Sequence, residues 1–147
     1  MKTNKILVGA SLPLGKVITL SNLTAEFTHI ASPTKQTAWF KITGLNNNVS
    51  YEFQLFGSFD EKGNMNIPFA VEHLLKQLGY SKTYDDTDDI VNDINNSNKP
   101  VQILATEGID KETKKPTGFV NYELNPMAIV KAVKDGTAVP VAAAKTK

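Results

Sequence analysis

The apolar positions change rhythm several times along the chain, and each change marks an element. From Lys16 the pattern is extended: Ile18 and Leu20 alternate with Val17 and Thr19, then Leu23, Ala25 and Phe27 take up the opposite parity. Successive side chains of a strand point to opposite faces. A switch of parity near Asn22 therefore marks one extra residue, a β-bulge within a single bent strand over about 16–30. Ser32-Pro33-Thr34-Lys35 closes that strand with a turn. Residues 1–15 have no period and carry Pro13 and Gly15, so they read as an arm or a first short strand.

The clearest hairpin follows. Thr37 to Gly44 and Val49 to Gly57 are strand-like, joined by the loop Leu45-Asn46-Asn47-Asn48. Asparagine tolerates the left-handed conformations such a loop needs. With Gly44 facing Val49, Ile42 opposes Tyr51 and Phe40 opposes Phe53 on an apolar face, which is the expected core. Lys41 opposes Glu52 and Trp39 opposes Gln54 on the other face, expected to meet solvent or a ligand. Trp39 is the side chain out of place there.

After a turn at Asp60–Asn64 the period becomes helical. Phe69, Val71, Leu74, Leu75 and Leu78 fall on one helix face and Gly79 stops it. A second short helix is expected near Asp88–Asn96, with aspartates where the helix dipole favours them. Val101, Ile103 and Ala105 alternate in a strand ending near Glu107, and Asp110 to Pro116 is a charged loop. The last clear strand runs from Phe119 to Leu124, with Val120, Tyr122 and Leu124 inward and Phe119 and Asn121 outward. A terminal helix is expected over Met127–Asp135, and Gly136 to Lys147, interrupted by Pro140, reads as a disordered tail. A bent strand, a hairpin, a helix or two and a second hairpin predict a mainly β fold. Its expected form is a five-stranded Greek-key barrel of the OB type, with a helix inserted between strands three and four. Residues 1–135 form the single expected domain and 136–147 the tail; there is no internal repeat.

Composition narrows the function more than the fold. At 147 residues and 41% hydrophobic content the chain fills one core. Its apolar runs fall far short of the roughly 18 residues that span a bilayer, so no membrane role is expected. The basic start and Ile6–Ala10 faintly resemble a signal peptide, but Pro13 and Gly15 cut the apolar stretch short. With no cysteine there are no disulfides, thiolate nucleophiles or zinc–thiolate sites, which is compatible with the cytosol. All sixteen basic residues are lysine and none is arginine. Bidentate guanidinium contacts to phosphates or guanines are thus excluded, and any nucleic-acid binding must use point charges and stacking. The net charge of +1 hides a partition: Asp85, Asp86, Asp88, Asp89 and Asp93 cluster together, leaving the rest of the chain basic.

Catalytic chemistry is thin. His29 and His73 are the only histidines: His29 ends a strand with no nearby acid by sequence, and His73, beside Leu74 and Leu75 on a helix, is expected to be structural. There is no nucleophile-elbow pattern and no Gly-rich phosphate loop. The aspartates offer hard oxygen ligands but lack the central glycine and final glutamate of a calcium loop, so a solvated helix N-terminus is the better account. A metal-dependent nuclease is the remote enzyme alternative. No enzyme activity, cofactor or metal is expected. The positive signal is aromatic and basic. Trp39, Lys41, Gln54 and Phe56 share the outer face of the hairpin, and Lys35 lies at its mouth. Lys111, Lys114 and Lys115 line the later loop, and Phe119 points outward nearby. Stacking platforms flanked by ammonium groups suit single strands, each stacked base contributing about 1–3 kcal/mol. The same face also suits packing under a terminal arm or a partner subunit.

Leu12-Pro13-Leu14-Gly15 before the long first strand, the helix Phe69–Leu78 with Gly79, and Lys99-Pro100-Val101-Gln102-Ile103 opening the fourth strand form a recognisable layout. With the lysine-rich loop and Phe119-Val120-Asn121-Tyr122, it resembles small phage-encoded single-stranded-DNA-binding proteins with an OB fold over residues 12–125. The resemblance implies coating of exposed single strands in phage DNA replication or recombination, in the host cytoplasm. Replication or recombination proteins and further copies of the chain are the expected partners. Many such proteins end in an acidic recruiting tail, whereas this chain ends Lys145-Thr146-Lys147, so tail-mediated recruitment is not expected. The rival expectation is a non-enzymatic phage structural or interaction subunit that uses the same aromatic face as an oligomer interface.

Overall fold

A computed structural model describes Met1 and residues 10–141. Its spine is β1 (Lys16–Ala31), a 16-residue strand that serves three ladders. The pairing shifts between Ser21 and Thr24, where Asn22 takes a left-handed φ of 52°, so the parity change in the sequence is a bulge in the structure. Beyond the bulge β1 pairs antiparallel with β2 (Gln36–Asn46), from Thr24 opposite Thr43 to Ala31 opposite Gln36. Gly44 lies where the bulge pushes β1 closest: a Cβ there would sit 2.8 Å from both Leu20 Cβ and Leu23 Cδ2. Before the bulge β1 pairs antiparallel with β6 (Val101–Ile109), Val17 opposite Leu104 and Leu20 opposite Val101.

β2 returns into β3 (Val49–Phe56) through a tighter turn than the sequence pattern implied. Asn46 faces Val49, so only Asn47 and Asn48 form the loop, both left-handed at φ 53° and 64°. Two consecutive positive φ values match the twist of the flanking strands and suit asparagine. The expected register is therefore corrected by two residues: Ile42 faces Phe53, Phe40 faces Leu55 and Trp39 faces Phe56. Side-chain parity has period two, so the faces survive the slip. Phe40, Ile42, Phe53 and Leu55 are buried, while Trp39, Lys41, Gln54 and Phe56 lie outside the core. The turn after β3 is flanked by a small ladder of β4 (Ser58–Phe59) and β5 (Met65–Asn66), with Asp60 accepting from the backbone N–H groups of Lys62 and Asn64.

Three helices close the fold. In α1 (Phe69–Gln77) Val71, Leu74 and Leu75 face the core, and Gly79, at φ 92°, ends the helix with Tyr80 N–H returning to Leu75 C=O. Gln77 reaches two strands at once. It donates to the carbonyls of Gln102 and Leu124 and accepts from Gln102 N–H. In α2 (Thr87–Asn95) Asp86 caps the N-terminus by accepting from Asp88 N–H at 2.8 Å, and Ile90 and Ile94 are buried. Asn95 then plugs the edge of β1: its Oδ1 accepts from Ala25 N–H at 2.6 Å and its Nδ2 donates to Ala25 C=O. After β7 (Pro116–Glu123), which pairs antiparallel with β6, α3 (Pro126–Lys134) places Ile129 against Val17, Leu104 and Ala138 in a second small cluster.

Within the segment expected as a tail, residues 136–141 are described and hold a short strand. β8 (Val139–Pro140) pairs in parallel with β1, with Val139 N–H on Gly15 C=O and Val141 N–H on Val17 C=O. Pro140 falls between the two donors, where its missing N–H costs the ladder nothing, so it does not break the strand. The remainder of the expected tail, 142–147, lies outside the described residues.

The strands are ordered β3-β2-β1-β6-β7 in a mainly antiparallel sheet with β8 on β1. Among the described residues no ladder joins β3 to β7, so the sheet does not close into the expected barrel. Part of β3's outer edge is occupied by another segment. There Ala10 N–H donates to Ser50 C=O and Glu52 N–H donates to Ala10 C=O, taking groups that a closing strand would need.

Candidate nucleic-acid interface

The outer face of β2 and β3 assembles the residues that the pattern singled out. Trp39 is half-buried and lies against Phe56, ring centres 5.6 Å apart and tilted by 40°. Phe56 itself is 55% exposed. Lys41 sits opposite Gln54, and its ammonium is 3.6 Å from the carboxylate of Glu52 on the diagonal. The expected ion pair thus forms, though across a diagonal rather than directly. Both partners are well exposed, and such a pair is worth about 0–1 kcal/mol, so Lys41 can exchange Glu52 for another anion at little cost.

A groove of about 380 Å³ runs between β3 and β7 where the sheet stays open, and it unites residues from both strands. Gln54, Phe56 and Phe119 line it, together with Glu52, from the hairpin face expected to meet solvent or a ligand, and Val120 and Tyr122, which the pattern expected inward. Tyr122 rests against Phe53, centres 5.2 Å apart, and burial raises its phenol above the usual tyrosine range. Val120 was expected inward but is 41% exposed, because this part of the β6–β7 hairpin runs beyond the core. Phe119, 74% exposed, is presented by the local backbone. Thr117 Oγ1 donates to Gly108 C=O and accepts from Phe119 N–H, and Gly118 turns the chain at φ 82°. Gly108 allows this close approach, since a Cβ there would lie 2.7 Å from Thr117 Oγ1.

The lysines are not gathered at one point. Lys35 lies in the β1–β2 turn, where the Ser32 hydroxyl bonds both its N–H and its C=O. Lys111, Lys114 and Lys115 are exposed in the β6–β7 loop, which Asp110 organises by accepting from the N–H groups of Glu112 and Thr113. Those bonds, Thr113's first, hold the Asp110 carboxyl below its usual range. β1 and β6 run antiparallel, so the loops that follow them leave from opposite ends of the sheet. The 16 residues of β1 advance about 3.3 Å each, a path of about 50 Å between the two ends. The aromatics and Lys41 occupy the middle.

Several other titratable groups make local contacts. His29 Nε2 lies 3.0 Å from Gln36 Oε1 and its ring packs against Phe59, while His73 is half-buried on α1. Asp93 accepts from the Tyr84 hydroxyl at 2.5 Å and pairs with Lys82 at 2.9 Å. Lys82 and then Tyr84 lower the Asp93 carboxyl, Asp93 raises the Lys82 ammonium, and burial followed by Asp93 pushes Tyr84 well above the usual phenol range. Among the described residues no three His, Asp or Glu side chains gather to hold a metal, and no helix is long and apolar enough to cross a membrane.

Comparison with protein-family models, with curated proteins and with solved structures finds no match.

Proposed function

We propose that this protein binds single-stranded DNA without strong sequence preference, by stacking bases on its aromatic groove and neutralising phosphates with lysine. The observation that carries the reading is the aromatic surface on the outer side of the sheet: Trp39 stacked against the exposed Phe56, with Phe56 and the exposed Phe119 lining one groove, and Lys41 beside Gln54 on the same face. Stacking of this kind is tolerant of sequence because every base has a π-face. The absence of arginine is consistent with tolerance too. The strand order supports an OB reading. Taking the five long strands alone, the order is third-second-first-fourth-fifth, with α1 and α2 between the third and fourth. OB folds are partly open, and they bind oligonucleotides on the face of strands two and three and on the loops joining strands one to two and four to five. Here those loops hold Lys35 and Lys111, Lys114 and Lys115. The setting proposed is the coating of exposed single strands during phage replication or recombination in the host cytoplasm.

Trp39 is the only tryptophan, so its emission reports on the site directly. Titration with a mixed-sequence single strand at low salt is expected to quench it, and the corresponding duplex is expected to bind more weakly. Unchanged emission with no strand retained on the protein overturns the proposal. The exposed Phe56 and Phe119 also fit a subunit interface. Sedimentation distinguishes that reading, which requires an oligomer that shields the groove and ignores DNA.

A further inference from the structure

The groove contains a carboxylate, and a carboxylate is an unfavourable neighbour for a phosphate backbone. Glu52, Gln54 and Phe56 fall at every second residue of β3 and line the same wall, facing Phe119 and Tyr122 across the gap. Glu52 is fixed at its backbone, where its N–H donates to Ala10 C=O at 3.0 Å, and its only ion-pair partner among the described residues is Lys41. An ionised carboxylate accepts hydrogen bonds and cannot donate them. Phosphates are therefore expected to follow the lysines outside the groove, with bases turned inward and their edges against β3.

Resting on the single-strand reading above, we infer that Glu52 makes the groove favour bases carrying an exocyclic amine over thymine and uracil. Cytosine N4, adenine N6 and the guanine N1–H and N2 edge all offer donors to a carboxylate. Thymine offers carbonyl oxygens at O2 and O4, whose lone pairs oppose it, and N3–H lies between them. A donor edge that engages Glu52 also releases Lys41 towards the adjacent phosphate, so base and backbone contacts reinforce each other. Gln54, with both a donor and an acceptor, discriminates little. The preference therefore rests on one residue.

The test compares oligodeoxycytidylate with oligodeoxythymidylate of equal length, read by Trp39 fluorescence, on the native protein, Glu52→Gln and Lys41→Gln. The native protein is expected to bind the cytosine strand about tenfold more tightly, and Glu52→Gln to bring the two within about twofold, since an amide can satisfy either edge. Lys41→Gln is expected to weaken both strands and, by removing the reinforcing phosphate contact, to narrow the preference without abolishing it. Equal affinities in the native protein, a thymine preference, or a preference unchanged in Glu52→Gln each overturn the inference and leave single-strand binding standing. Binding of neither strand removes the single-strand reading itself. Should Glu52→Gln fold poorly, Glu52→Ala takes its place, and a cytosine preference that survives in it overturns the inference.

Discussion

Replacing Lys111, Lys114 and Lys115 together with glutamine separates the electrostatic part of the proposed site from its stacking part. None of the three side chains takes part in the hydrogen bonds that shape the loop, which Asp110 holds through Glu112 and Thr113, so the melting temperature should be unchanged. Each phosphate neutralised on a single strand contributes about −0.7 to the slope of log affinity against log salt. Five lysines (Lys35, Lys41 and these three) give a slope of about −3.5, and the variant one of about −1.4. Between roughly 50 and 200 mM salt the native protein should then lose about 130-fold in affinity and the variant only about sevenfold. The opposed placement of the two loops adds a condition on length. An oligonucleotide too short to run from the Lys35 turn to the Lys111–Lys115 loop should show a shallow slope even on the native protein. Trp39 fluorescence titrations across a salt series, with short and long strands, measure both effects. A variant slope equal to the native one on a long strand, or identical slopes for short and long strands, refutes the arrangement.

Three further outcomes follow from local geometry. Gly44→Ala inserts a methyl 2.8 Å from Leu20 and Leu23 and should cost about 1–3 kcal/mol, seen as a lower denaturation midpoint; an unchanged midpoint means that the bulge yields freely. Asn95→Ala removes both bonds to the part-buried backbone of Ala25 and should cost about 1–3 kcal/mol; a smaller loss means that water replaces the side chain. Asp110 titrates below its ordinary 3.8 in the folded protein. Its contribution is therefore complete above that value and is lost as pH falls through the lowered one. A carboxyl titration followed by NMR should place the midpoint under 3.8, and a midpoint at or above it contradicts the Asp110 bonds.

How much of this was legible in the sequence depends on the range of the interaction. The bulge at Asn22 could be read because a change of parity is local. So could the two faces of the β2–β3 hairpin. The pairing could not, since a slip of two residues leaves both faces intact and only the backbone of Asn47 and Asn48 decides it. Gln77 and Asn95 gave no signal at all: each is one polar residue near a helix end, and its partner is the backbone of a distant strand. The groove was half legible. Phe56 and Phe119 stood out as aromatics on outward faces, with Gln54 beside Phe56, whereas Glu52 looked like an ordinary surface partner of Lys41 until β7 came alongside. The open gap was not readable, because strand pairing between β3 and β7 is a long-range matter, and the Ala10 bridge on β3 lies in residues 1–15, which carry no periodic pattern.

One strand sits in both halves of the sheet, and this orders events in time. The part of β1 beyond its bulge meets β2 almost immediately in the chain, but the part before it waits for Val101, some eighty residues later. Local contacts close quickly and distant ones slowly. During synthesis the β1–β2–β3 meander should therefore form while Val17, Ile18 and Leu20 still present an unpaired, apolar edge. That exposed edge is the point at which a growing chain is most open to pairing with the wrong neighbour. Of the described elements made in the interval, α2 packs against β1.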